Sequence, residues 1–78
     1  MIAFELWETT SGNLMGSYGS EGEALVMLAE AVQSHGYAYL ETIALIREGG
    51  RGRARVVATG SQLAERVEAQ AVHGGPPG

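Results

Sequence analysis

The chain has no cysteine, no lysine and no aspartate, and it has only two histidines and two prolines. Each absence removes some chemistry. Without cysteine there can be no disulfide staple, no thiolate zinc site and no thiol nucleophile. A metal bound by other groups needs three or four converging ligands. His35 and His73 are far apart in the chain, and neither has a second His or a Glu at a chelating helical spacing such as H-E-x-x-H. His35 falls where a helix should end and where a cation complements the helix dipole. No metal and no cofactor is expected.

Long apolar runs are also missing. No stretch approaches the roughly 20 residues that a membrane span requires. The opening Met1-Ile2-Ala3-Phe4-Glu5 lacks the basic segment that begins a signal peptide. Membrane association is therefore not expected, and the cytoplasm is the expected compartment. The five basic residues are all Arg, the nine acidic residues are all Glu, and the formal net charge is −4. A negative chain is poorly suited to sequence-independent nucleic-acid binding, which depends on neutralising phosphates. The Arg-and-Glu-only usage, with abundant Ala, Gly and Val, points to a GC-rich genome and an expected bacterial source.

With 78 residues the chain has room for one domain. A chain of this size buries only roughly 60% of its unfolded surface, so association with a partner is a natural supplement to its stability. The pattern predicts one α+β domain over residues 1–73, with 74–78 (Gly-Gly-Pro-Pro-Gly) as a disordered tail. Residues 2–8 alternate as a half-buried strand, with Ile2, Phe4 and Leu6 on one face and Ala3, Glu5 and Trp7 on the other. Turn residues 9–13 lead to a second strand over 14–18, in which Gly16 signals a bulge or a close contact.

Ser20 and Glu23 form a capping box for a helix ending near Ser34. Its apolar stripe is Leu25, Leu28, Ala29 and Val32, widened by Ala24, Met27 and Ala31, and Gly36 is placed to end it in the left-handed conformation. Strands are predicted over 42–48 and 53–59, joined by a hairpin loop that sets Glu48 opposite Arg53. That register puts Ile43, Leu45, Ala54, Val56 and Ala58 on the inner face, and Ala44, Ile46, Arg53, Arg55 and Val57 on the outer face. Ser61 caps a last helix through about Val72, with Leu63, Ala64, Val67 and Ala71 as its stripe. The order β-β-α-β-β-α predicts a four-stranded antiparallel sheet with a helix packed on one face.

No catalytic set stands out. Ser11, Ser20, Ser34 and Ser61 occupy turn or helix-end positions, and no motif supplies a serine with a base and an orienting acid. The chain is expected not to be an enzyme. Gly49-Gly50-Arg51-Gly52 lacks the G-x-x-x-x-G-K-[ST] order and joins two strands, so it reads as a hairpin loop. Two features remain. Arg47, Arg51, Arg53 and Arg55 gather at this hairpin as a candidate anion or nucleic-acid contact, since guanidinium binds phosphate and carboxylate bidentately. Trp7, Ile46, Arg53, Arg55 and Val57 form a candidate protein interface on the outer sheet face, which either the last helix or a partner must cover.

The segment Ser17-Tyr18-Gly19-Ser20-Glu21-Gly22-Glu23-Ala24-Leu25, continuing to Glu30-Ala31-Val32, resembles the strand-to-helix joint of HicB-type antitoxins. These are small bacterial proteins that neutralise an RNA-cleaving toxin. The resemblance covers under a quarter of the chain and implies a partner-binding regulator. The chain departs from that pattern by resuming with a strand hairpin and by lacking a clear DNA-binding segment. The expected function is thus a non-enzymatic bacterial interaction or regulatory module. Its partner is a second copy (a homodimer) or another protein. The alternative is a nucleic-acid-binding or antitoxin-like regulator that uses residues 47–55, with nucleic acid the disfavoured partner on charge.

Overall fold

The computed structural model describes residues 2–50 and 52–73, with side chains described as far as Gln70. Arg51 and the expected tail at 74–78 lie outside the described residues. The elements follow the expected order: β1 (Ala3–Glu8), β2 (Asn13–Tyr18), α1 (Glu21–His35), a 3-10 helix (Tyr37–Thr42), β3 (Ile43–Glu48), β4 (Ala54–Thr59) and α2 (Gly60–His73). The strands form one antiparallel sheet in the order β2-β1-β3-β4. This is the α+β architecture read from the sequence, with the 3-10 helix as an unforeseen addition.

Local chemistry accounts for the joints. The β1–β2 turn is closed by Glu8, whose Oε1 accepts from the Ser11 hydroxyl and from the Ser11 N–H, both at 2.6 Å. These bonds stabilise the carboxylate and lower the Glu8 pKa from 4.5 to about 2. Ser20 caps α1 by accepting from the Glu23 N–H at 3.2 Å, while Glu23 reaches back to the Gly19 N–H at 3.1 Å. At its other end α1 runs to His35, one residue past the expected end, and the Gly36 N–H donates to the Val32 carbonyl at 2.7 Å. Gly36 has the positive φ expected of it, but its φ of 82° and ψ of 168° place it in the extended, essentially Gly-only region instead of the left-handed helical one. The chain therefore leaves α1 in an extended step before the 3-10 turn, where the Tyr39 ring stacks on His35 with centroids 5.0 Å apart. Between β4 and α2 no linking residue intervenes: Gly60, at φ 52°, turns the strand directly into the helix.

Both helices pack on the same side of the sheet. Leu6, Ile43, Leu45 and Ala58 rise from the sheet to meet Ala24, Leu25 and Leu28 of α1, Leu40 of the 3-10 helix, and Leu63 and Val67 of α2 in one buried cluster. α1 and α2 also contact one another. The core stripes thus match the apolar periodicity, except that Met27 points to solvent and Ala71 lies beyond the described side chains.

The β3–β4 register differs from the expected one. The loop is five residues long, closed by Gly49 N–H to Arg53 carbonyl at 2.8 Å, so Glu48 pairs with Ala54 and not with Arg53. A bulge then places Val57 as an extra residue between the Ile46–Val56 and Leu45–Ala58 pairs. The two shifts cancel above the bulge and leave Ala58 facing inward as expected. Below it, parity is reversed. Ala54 and Val56 lie on the outer face and Arg55 on the helix face beside Arg47, while Val57 packs against the core.

Candidate functional site

The sheet has one covered face and one open face. On the open face the cross-strand pairs are Trp7–Leu14, Trp7–Ala44, Ala44–Thr59, Glu5–Ser17, Glu5–Ile46, Ile46–Val56, Ala3–Glu48 and Glu48–Ala54. α2 does not cover them, because Leu63 and Val67 are committed to the core on the opposite side. Trp7 therefore lies near the end of β1, in the row Leu14–Trp7–Ala44–Thr59 of an open face that has no covering element among the described residues. Its indole N–H donates to Glu5 Oε1 at 3.1 Å, which satisfies its polar end and fixes the ring along the strand. Ala44, its cross-strand neighbour, is only 5% exposed, whereas Leu14 and Val56 are 49% and 60% exposed.

Of the five residues expected at this surface, Trp7 and Ile46 lie on it. Arg53 belongs to the hairpin loop, Arg55 faces the helices, and Val57 is the bulge residue against the core. Val56 and Leu14 occupy the face instead. Leu14 was legible in principle, since it is the apolar residue that follows the turn directly. Val56 was not, because its side depends on one inserted residue.

The arginines do not form a single stripe. Arg47 and Arg55 are direct cross-strand partners on the helix face. They line a cleft together with Phe4, Glu21, Val57 and Arg66, and Val56 borders the same cleft at the strand edge. Arg66 Nη1 lies 2.8 Å from Glu21 Oε2 and ties α2 to the start of α1. Arg47 and Arg55 also border a second hollow at the hairpin, of similar size, with Gly49, Gly52 and Arg53. The described residues therefore bring Arg47 and Arg55 together, hold Arg53 toward the hairpin, and add Arg66, which is distant in sequence and was not part of the expected cluster.

Among the described residues no group of three or more His, Cys or Glu side chains is arranged to hold a metal. No described helix is long and apolar enough to cross a membrane. No family model, curated protein or solved structure matches the chain, so the resemblance to HicB-type antitoxins rests on residues 17–32 alone.

Proposed function

We propose that this chain is a non-enzymatic interaction module of the bacterial cytoplasm that pairs with a second copy of itself through the open sheet face. The observation that carries this reading is the position of Trp7, Leu14, Ile46 and Val56 on a face that neither helix covers. Monomeric proteins rarely leave a contiguous apolar patch of this kind to water, and Trp is a frequent interface anchor. Two-fold pairing requires only one self-complementary patch, and two such sheets can stack with their strands nearly aligned. Among the described residues the face carries no arginine, and of its two carboxylates, Glu5 and Glu48, the first is already bonded to the Trp7 indole, so stacking leaves few charges to desolvate. Nucleic-acid binding through residues 47–55 has less support, because the arginines divide between the helix face and the hairpin.

Light scattering on the purified chain at about 100 μM should give twice the 8.2 kDa chain mass, which requires a dissociation constant well below that concentration. Val56→Asp should return it to a monomer with an unchanged circular dichroism spectrum, since this side chain is 60% exposed in the isolated chain. A monomeric parent chain would overturn the proposal.

A further inference from the structure

The cleft on the helix side of the sheet shares Val56 with that pairing face but is otherwise lined by residues that lie off it. Arg47 and Arg55 stand directly opposite one another on adjacent strands, an arrangement that is destabilising for like charges. The chain holds nine glutamates, yet the described side chains contain one ion pair, Arg66–Glu21, and none at Arg47 or Arg55. Arg66 joins the two strand arginines along the same cleft, and Phe4 and Val57 give it an apolar wall. Three guanidiniums and one carboxylate leave two positive charges facing an open cleft of about 550 Å³, a volume within the range of small-molecule sites.

We propose that this cleft binds a small molecule through a dianionic phosphate group, held by Arg47 and Arg55 and flanked by Arg66, with the organic portion against Phe4 and Val57. A phosphate dianion balances the two uncompensated charges. Its oxygens suit the planar donor forks of two guanidiniums, and binding would relieve the repulsion between the cross-strand arginines. Glu21 keeps Arg66 oriented from α1 and so links the site to the contact between the helices.

The test is a titration of the full-length chain with phenyl phosphate, followed by amide chemical shifts at low salt. Saturable shifts should centre on β1, β3, β4 and the first half of α2. Arg55→Gln and Arg47→Gln should each weaken binding by about tenfold or more, as expected for loss of a charge-assisted pair. Arg53→Gln, in the neighbouring hairpin hollow, should weaken it less than either of these. Because Arg55 is exposed on an outer strand, Arg55→Gln should keep the parent spectrum, so loss of binding can be separated from loss of fold. Binding should also weaken as the pH drops below about 6, where a phosphomonoester takes up its second proton. No saturation, equal binding by Arg55→Gln, or equal affinity for benzoate would overturn the proposal. So would binding of an oligonucleotide but not of phenyl phosphate, which would identify a polynucleotide surface instead.

Discussion

A methyl group added at Gly16 would lie 2.5 Å from the Tyr18 hydroxyl and 3.0 Å from the adjoining ring carbon. The Tyr18 ring folds back over its own strand at this point, and it does so because Gly16 has no side chain. Gly16→Ala must displace the end of the ring, which can swing, so the expected cost is about 1 kcal/mol, at the low end for overpacking. Urea denaturation would measure it, and Tyr18→Ala in the same background should remove most of the difference. Glu8 offers a second single-residue test. Its pKa in the fold is lowered by the Ser11 hydroxyl and then by the Ser11 N–H, so its contribution is complete above the ordinary 4.5 and is lost as the pH falls toward about 2. Glu8→Gln should therefore be less stable than the parent at neutral pH, and the two stability curves should converge at the acid end. Parallel curves across that window would show that the turn bonds do not act through the carboxylate charge.

The elements themselves were legible because their signals are local. Ser20, Glu23 and the Leu25–Leu28 spacing specify α1 within one contiguous segment, and alternation in residues 2–8 specifies β1. Pairing register was not legible to the same degree, since it depends on loop length and on whether a strand inserts an extra residue. One such residue, Val57, changed the side on which Val56 and Arg55 fall, and so altered both candidate sites. Gly16 carried the information for the other bulge. α2 depends most on packing, because among its described residues only Leu63 and Val67 are fully buried. Leu63→Ala should cost about 2–5 kcal/mol, the usual range for truncating a fully buried leucine. Hydrogen exchange should then show the α2 amides losing protection before those of β1 and β3. Uniform loss of protection would mean that the helix and sheet unfold as one unit.

At the scale of the whole molecule, the two faces of the sheet have separate tasks under the proposed readings. One is closed by the helices and carries the arginine cleft at its margin; the other presents Trp7 to a partner. The sequence disclosed a second apolar face but could not choose between α2 and a partner as its cover, because Leu63 and Val67 would suit either side of a sheet. The two irregular pairs have a further consequence for how molecules meet edge to edge. In both hairpins the inserted residue, Met15 or Val57, belongs to an outermost strand, β2 or β4. A bulge bends such a strand and breaks the even row of free N–H and C=O groups that a neighbouring chain would need to extend the sheet. The chain can therefore expose an apolar face for pairing while both of its lateral margins resist the open-ended stacking that leads to fibres.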